Sequence, residues 1–232
     1  MNQPNDARRS VLYQNSSKVP FASRISWMVR RKIFDLFMDR LSPGPDTTVL
    51  DVGVTNDTTF RESNFFEQLY PRPWRITCIG TEDGSHLVDQ YPGLRYEQVR
   101  PGERLPFRDR QFDIVFSNAV VEHVGQRELQ RAFVHEICRV GSAFFITTPN
   151  RWFPVEHHTG LPLLHFLPPT MFRALIQGSR YDFWAQPQNL NILTAAQFQG
   201  LFENDCRTEM LRVRLCGFTS NLVAIGLSGQ RS

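Results

Sequence analysis

The feature that most constrains the fold is an alternation of short apolar, β-branched runs with helical patterns. Strand-like runs cover residues 47–52, 76–79, 112–116, 144–148, 209–215 and 221–226. Helical patterns cover residues 59–69, 126–140 and 194–202. Strands that alternate with helices at this spacing form parallel sheets covered on both faces. The sequence therefore predicts an α/β fold with a doubly wound, mostly parallel sheet.

A separate helical segment precedes this alternation. Residues 24–41 interleave basic and apolar positions at helical spacing, which predicts an amphipathic helix. Its basic face is either solvated or forms a lid over an anionic or lipid-like substrate, so a peripheral membrane contact stays open. The breaker cluster at 42–46 then divides the chain into an accessory segment, 1–45, and a main domain, 46–232.

One long interruption follows the strand at 144–148. Residues 150–189 contain five prolines and many aromatic residues, without clean strand periodicity. A long interruption of this kind usually forms a binding segment rather than a simple connection. We expect an inserted, substrate-facing lid at 150–190, after the fifth strand of the sheet. Within the preceding helical pattern, residues 59–62 have the spacing of a capping box.

Composition excludes several classes of protein. The 232 residues are 41% hydrophobic and 21% charged, with a formal net charge of +3. These values are ordinary for a globular enzyme and make nucleic acid an unlikely partner class, although they do not exclude it. No apolar run approaches the roughly 18 residues that span a bilayer, and the first ten residues lack the apolar core of a secretory signal. A cytoplasmic location is the expectation.

The four cysteines give no metal or disulfide pattern. They lie far apart and form no C-x-x-C pair, at Cys78, Cys138, Cys206 and Cys216. We expect reduced, mostly buried thiols.

Polar residues follow the first two strands of the main domain. Asp51 and Gly53 end the first strand, and Glu82 and Asp83 follow the second. Ligands of open parallel sheets bind beyond the carboxyl ends of the strands, where the strand order reverses. An acid after the second strand can accept both hydroxyls of a ribose, and Glu82 is preferred over Asp83 because it lies at the strand tip. An acid in a turn or at a helix N-cap is the alternative.

Three motifs in order carry a family resemblance. V-L-D-x-G occupies 49–53, L-P-F-x-D-x-x-F-D-x-V occupies 105–115, and E-H-V occupies 122–124. Together they resemble the class I S-adenosylmethionine-dependent methyltransferases of the small-molecule, methyltransferase-11-like type. The tail, with 193–198 and 222–226, is similar to the last helix and strand of that family. The resemblance implies a Rossmann-like, seven-stranded sheet, with S-adenosylmethionine as cofactor and S-adenosylhomocysteine as product.

The resemblance also implies roles for single residues. Asp51 and Gly53 would flank the methionine moiety of the cofactor, and Glu82 would bind the ribose hydroxyls. Ser117 and Asn118 would line the methyl-donor end. His123 either joins this site or caps the next helix.

Two positions depart from the family pattern. The loop after Asp51 has one glycine where the family has G-x-G, and Asn56 could replace the missing glycine because asparagine tolerates left-handed conformations. Pro101 and Gly102 stand where the family often has an acid for the adenine amino group, so backbone groups at Gly102 would serve instead.

The stretch after the fifth strand resembles, more loosely, the acceptor pocket of a methyltransferase subset with T-P-N-R-W-x-P-x-E-x-H-T. That resemblance assigns Asn150, Arg151, Trp152 and His157 to the acceptor. If the acceptor must lose a proton, His157 or His158 could take it, with Glu156 or His123 orienting the ring. A purely structural hydrogen-bond network is the alternative. Glu156, His157, His158 and His165 lack a recognisable ligand spacing, so no metal site is predicted.

The preferred function is transfer of a methyl group from S-adenosylmethionine to a small-molecule acceptor, such as a natural-product, sugar or lipid-linked precursor. An RNA or protein methyltransferase and a non-catalytic member of the fold are the alternatives. The sequence carries no signal for an oligomeric state.

Overall fold

The structure, a computed structural model, describes residues 20–202 and 206–228. The polar N-terminus and the start of the predicted accessory segment, residues 1–19, lie outside the described residues. The strands are β1 (Val49–Val52), β2 (Ile76–Gly80), β3 (Arg95–Gln98), β4 (Phe112–Asn118), β5 (Gly141–Pro149), β6 (Cys206–Leu215) and β7 (Phe218–Ser228). The α-helices are α1 (Pro20–Leu41), α2 (Phe65–Leu69), α3 (His86–Gln90), α4 (Arg127–Val140), α5 (Pro169–Ile176), α6 (Asp182–Ala185) and α7 (Ala195–Gln199).

All seven strands join one sheet in the order β3-β2-β1-β4-β5-β7-β6. The pairs from β3 to β5 are parallel, whereas β7 pairs antiparallel with both β5 and β6. The order reverses between β1 and β4, and this reversal is where open α/β sheets bind ligands beyond the carboxyl ends of their strands. The predicted Rossmann-like, seven-stranded, mostly parallel fold is confirmed.

The two faces of the sheet bury separate apolar layers. Along β1, Val49 faces one layer while Leu50 and Val52 face the other, which is the period-two alternation of a strand. All four β1 residues are buried, as expected for a central parallel strand covered on both sides. The core therefore leaves only the ends of the central strands open to ligands.

Helix α1 packs against the first of these layers. Its buried residues Val29, Ile33, Phe34 and Phe37 share one apolar cluster with β1, β2 and β4. Phe37 is fully buried, and its ring lies edge-on to four other aromatic rings, including those of β4 and β5 at 5.6 and 5.5 Å. The N-terminal helix is thus part of the core of the main fold, and its amphipathic pattern is explained by this packing.

Two local features differ from the sequence analysis. The predicted helix over 59–69 is wrong in its first half, because Asp57 accepts hydrogen bonds from Thr59 and Ser63 and holds a turn, so the helix begins only at Phe65. Edge strand β3 was not predicted. Its burial pattern is mostly exposed and its sequence polar, so it lacks the apolar signal of a strand.

The stretch after β5 is folded around a small core of its own. Residues 164–166 form a 3-10 turn, and α5 and α6 follow. Five buried residues form this core: Phe172, Ile176, Trp184, Ala185 and Leu190. A bridge between Asn150 and Leu193 joins the two ends of the stretch. We call residues 150–192 the insertion.

The expectation of four reduced cysteines is wrong. Cys138, in the last part of α4, forms a disulfide with Cys206, the first residue of β6, across 68 positions of sequence. Only the tertiary fold brings α4 beside the start of β6, and so no spacing rule could indicate the pair. Cys78 is buried and free, and Cys216 is exposed and free. Among the described helices, none has the length and apolar character required to cross a bilayer.

Candidate active site

The loop after β1 turns sharply at Gly53. The φ angle of Gly53 is +108°, a left-handed value that favours glycine, and its N–H donates to the Ile79 carbonyl at 2.8 Å. A Cβ on Gly53 would lie 2.2 Å from Cγ2 of Val120, just beyond β4. Glycine is therefore required here both by the backbone conformation and by the close approach of the chain that leaves β4.

Asn64 holds the rest of this loop. Its side-chain amide donates to the Thr55 carbonyl at 2.8 Å and accepts from the Thr55 N–H at 2.9 Å. Asn64 has a φ of 48°, whereas Asn56 is not among the residues with positive φ. The expectation that Asn56 replaces a glycine in a left-handed conformation is therefore wrong, because Asn64 adopts that conformation instead. Asn56 is exposed in the loop, and its N–H points toward the Glu82 carboxylate.

Asp51 points into the protein rather than into the open edge. Its carboxyl is buried near the buried Glu67 of α2, which accepts a hydrogen bond from the Cys78 thiol at 3.0 Å. Burial, followed by the charge of Glu67, raises the pKa of Asp51 well above its usual range. Asp51 thus lies beneath the loop, inside the protein and beside a second acid.

Glu82 and Asp83 have different surroundings. The half-buried Glu82 carboxylate lies across the loop after β1, with Oε2 at 3.4 Å from both the Asn56 N–H nitrogen and the Thr55 hydroxyl. Asp83 is exposed and accepts a hydrogen bond from the Ser85 N–H, which lowers the pKa of Asp83. The Asp83 carboxylate is therefore used in the turn that leads into α3, while the Glu82 carboxylate faces the loop after β1. Gly102 lies in an exposed turn with a φ of +76° and open space around it.

The two predicted site residues at the end of β4, Ser117 and Asn118, also differ in their surroundings. Ser117 is fully buried, and its hydroxyl donates to the Val52 carbonyl at 3.0 Å, which ties β4 to β1. Asn118 is half-buried at the strand tip, where its carbonyl oxygen accepts from the Thr147 hydroxyl at 2.7 Å. Asn118 is thus the one whose side chain lies at the open edge.

Four acidic and histidine side chains meet beyond β4 and β5, and we call them the Glu–His cluster: Glu122, His123, Glu156 and His158. The first two form a 3-10 turn after β4, and the other two belong to the insertion. The Nε2 atoms of the two histidines lie 3.0 Å apart. The Trp184 ring packs against both imidazoles, with centroids 4.8 and 5.8 Å away. The fold therefore brings residues 35 positions apart into one buried site.

Glu156 is the anionic centre of this cluster. It accepts hydrogen bonds from the His158 and Thr159 N–H groups and from the His158 ring, whose Nδ1 lies 2.7 Å from Oε1. Burial alone would raise the pKa of Glu156, but the charge and hydrogen bonds of His158 lower it to about 2. Burial likewise opposes protonation of His158, yet Glu156 outweighs it, and the pKa of His158 is raised.

Glu122 lies on the other side of the two histidines. Its side chain is completely buried, and Oε2 accepts from the Thr148 hydroxyl at 2.9 Å. Oε1 has no hydrogen-bond partner within the described residues and lies 4.0 Å from Nε2 of His123. Burial raises the pKa of Glu122 to about 7, although the His158 charge opposes the shift. The sequence analysis left Glu122 without a role, although it belongs to the E-H-V motif.

The remaining acceptor candidates lie around the cluster rather than in it. His157 is exposed and stacks on Phe153 with centroids 5.2 Å apart. Arg151 lines a neighbouring pocket of about 210 Å³ and donates to the Leu167 carbonyl at 2.6 Å. Trp152 is 51% exposed, and Asn150 is tied to the backbone of β7 through the Thr219 carbonyl. Only His158 among the predicted bases is oriented by Glu156.

Comparison with known proteins gives a family match over part of the chain and a fold. Residues 64–143 match the family described as "Methyltransferase domain". No curated protein matches the chain. One similar structure is a Burkholderia thailandensis 1,6-didemethyltoxoflavin-N1-methyltransferase, solved with 1,6-didemethyltoxoflavin and S-adenosylhomocysteine. The alignment covers 98% of this chain and 91% of that one, with 13% identity and a TM-score of 0.58. A second is a Methanosarcina mazei SAM-dependent methyltransferase. The alignment covers 82% of this chain and 96% of that one, with 14% identity and a TM-score of 0.51.

The family match covers residues 64–143, less than half of the chain, and the solved methyltransferases show that the chain has their fold. The strand order reverses between β1 and β4, and the carboxyl-end edge there is where a sheet of this kind binds its ligand. Gly53 lets the chain that leaves β4 pack against the loop at Val120, and Glu82 supplies a carboxylate across the same loop. The Pyrococcus horikoshii PH0226 protein has a similar fold, with a TM-score of 0.58, 13% identity, and coverage of 94% of this chain and 95% of that one.

Proposed function

We propose that this protein transfers the methyl group of S-adenosylmethionine to a small-molecule acceptor that binds beside the Glu–His cluster and the Trp184 ring of the insertion. The observation that carries the proposal is the meeting of the cluster with the cofactor edge. Val120 contacts the Gly53 position, and the cluster begins two residues later at Glu122. The methyl-donor end and a set of buried acid and base groups therefore share one edge of the sheet.

The cofactor half of the site uses the loop and the tips of β2 and β4. The backbone around Gly53 and Asn56 receives the methionine portion, and Glu82 accepts the ribose hydroxyls. Asn118 lies at the methyl-donor end, beside Thr147. In the same proposal, Asp51 and Ser117 act from beneath the surface, since both side chains are buried and the Ser117 hydroxyl is already hydrogen bonded to the Val52 carbonyl.

The acceptor half of the site belongs to the insertion. Its core of apolar and aromatic residues holds Trp184 against the two cluster histidines, so that an acceptor approaching the methyl group meets a largely apolar, water-poor surface. Small-molecule sites typically combine such apolar walls with a few placed polar groups. This arrangement favours a small acceptor over a macromolecule.

Methyl transfer is an in-line displacement, in which the acceptor atom forms a bond to the methyl carbon as the carbon–sulfur bond breaks. The positively charged sulfonium becomes neutral S-adenosylhomocysteine. The enzyme mainly aligns the two reacting atoms, which can contribute on the order of 7 kcal/mol or more to catalysis. An acceptor hydroxyl or amine must also lose a proton, and the Glu–His cluster is the group placed to assist that loss.

A labelled-methyl experiment tests this proposal. The protein is incubated with S-adenosylmethionine carrying a labelled methyl group and with separated small-molecule, RNA and protein fractions of a cell extract. We expect the label in the small-molecule fraction, with formation of S-adenosylhomocysteine. Label in RNA that decreases steeply with salt, or label in protein, would contradict the small-molecule proposal.

A further inference from the structure

The two histidines of the Glu–His cluster face one another in an unusual way. The His123 Nδ1 lies 2.8 Å from the Asn189 carbonyl oxygen, which can only accept, so Nδ1 carries the hydrogen. The His158 Nδ1 lies 2.7 Å from the Glu156 carboxylate and carries its hydrogen for the same reason. In the neutral forms of both rings, the two Nε2 lone pairs therefore point toward each other across 3.0 Å.

Two lone pairs at this distance repel unless a positive centre lies between or beside them. One such centre is a proton shared by the two rings. The other is a metal ion, because neutral imidazole nitrogens are common ligands of divalent transition metals.

Glu122 distinguishes the two arrangements. Its buried Oε1 lacks a hydrogen-bond partner within the described residues, and a buried carboxylate oxygen left in that state costs free energy. A shared proton between the histidines leaves Oε1 unsatisfied. A cation bound to both Nε2 atoms would also satisfy Oε1, since the three ligand atoms lie within 4.8 Å of one another.

The surroundings of both histidines match those of metal ligands. A metal-binding histidine usually donates its other ring N–H to a carboxylate or a backbone carbonyl, which fixes the tautomer and the ring orientation. Here Glu156 performs this for His158, and the Asn189 carbonyl performs it for His123. The Thr148 hydroxyl holds Oε2 of Glu122 and leaves Oε1 directed at the pair.

We propose that Glu122, His123 and His158 bind a divalent transition-metal ion of the Zn²⁺ type. Two imidazoles and one carboxylate, with a fourth position open, form the ligand set of catalytic rather than structural zinc sites. Tetrahedral bonds of about 2.1 Å place ligand atoms about 3.4 Å apart. The two Nε2 atoms, now 3.0 Å apart, would separate slightly, and Oε1 of Glu122 would approach His123 from 4.0 Å.

This inference deepens the proposed function and rests on it in one step only. The open position of the ion would face the acceptor, and a cation lowers the pKa of a hydroxyl that reaches it. The hydroxyl proton passes to water, the oxygen then bonds to the methyl carbon, and the carbon–sulfur bond breaks. The acceptor class favoured by this site is therefore a molecule with an acidic hydroxyl, such as a phenol or an enol.

Metal binding is tested with full-length protein that has been freed of metal by a chelator and then titrated with Zn²⁺ and Co²⁺. We expect one ion per chain and the visible absorption of a tetrahedral Co²⁺ complex. Glu122→Gln and His158→Gln should each weaken Zn²⁺ binding by at least about 10-fold. His157→Gln is the matched control, since His157 is adjacent in sequence but exposed and outside the cluster. Its Zn²⁺ affinity should equal that of the wild type.

The outcomes separate the metal from the proposed function. Equal Zn²⁺ affinity of the wild type and His158→Gln would overturn the metal site. Full methyl transfer by the metal-free protein would also overturn it, and that result would leave the proposed function intact. One tightly bound ion without any methyl transfer would support the site and contradict the function. S-adenosylhomocysteine binding and thermal unfolding of each variant show that it has folded.

Discussion

The two halves of the site bury carboxylates in opposite electrostatic settings. Beneath the cofactor loop, Asp51 meets a second acid, Glu67, and the pKa of Asp51 is raised. In the Glu–His cluster, Glu156 meets His158 and three N–H bonds, and the pKa of Glu156 is lowered to about 2. The first setting keeps a proton inside the protein and is suited to support. The second keeps a full negative charge beside imidazoles and is suited to chemistry.

The largest effect is expected from Glu156→Gln. The amide cannot hold the charge that orients His158, and breaking a buried charge pair costs about 3 to 5 kcal/mol. We expect unfolding in urea at a markedly lower midpoint and loss of methyl transfer. Glu128→Gln, at an exposed position of α4, is the control and should change stability by less than about 0.5 kcal/mol. Similar stabilities of Glu156→Gln and Glu128→Gln would contradict a stabilising buried charge at Glu156, and with it the electrostatic contrast between the two halves of the site.

The next effect is expected at Gly53 on the cofactor side. Gly53→Ala combines a left-handed φ with a Cβ 2.2 Å from Val120, and should cost about 2 kcal/mol or more and weaken S-adenosylhomocysteine binding. Gly102→Ala is the matched control, because its φ is also positive but no atom lies within 4 Å of the added carbon. Adding Val120→Ala to Gly53→Ala should recover part of the stability. A Gly102 variant as unstable as the Gly53 variant would show that the close approach is unimportant.

The smallest effect is expected from Glu67→Gln and depends on pH. Because the folded-state pKa of Asp51 is raised, the folded chain keeps a proton that the unfolded chain loses above about pH 4. That contribution to stability is complete below the unfolded pKa and is lost as pH rises through the folded pKa, at up to about 1.4 kcal/mol per pH unit. Glu67→Gln removes the charge that raises the pKa, so the fall of stability with pH should be shallower. Parallel curves for the two proteins in urea unfolding from pH 5 to 9 would contradict a pKa of Asp51 raised by the charge of Glu67.

The halves also differ in how far the sequence predicted them. The cofactor half follows contiguous motifs, so β1, β2 and β4, Gly53 and Glu82 could be placed from strand periodicity and order. The side-chain direction of Asp51 could not, because it depends on Glu67, which lies in a helix that begins later than its pattern indicated. Asp57 and Asn64 form side-chain bonds there that override the helical spacing.

The acceptor half depends on contacts between distant parts of the chain. His158 could be named as a base from its sequence, but its position opposite His123 and against Trp184 required the fold of the insertion. Glu122 belongs to the E-H-V motif and was still given no role, since a carboxylate after a strand is found in many different structural and functional settings. The Cys138–Cys206 disulfide was missed for the same reason, because no local pattern indicates which distant cysteines become neighbours.

Titration calorimetry with S-adenosylhomocysteine tests the central claim most directly. The wild type should bind one molecule per chain. Glu82→Ala should weaken binding by about 10-fold or more, because hydrogen bonds to a charged group contribute about 1.5 to 3 kcal/mol. His158→Gln should bind as tightly as the wild type while losing methyl transfer, since it belongs to the acceptor half. Absence of binding by the wild type at millimolar concentration, or equal affinity in wild type and Glu82→Ala, would contradict a cofactor site at the edge between β1 and β4.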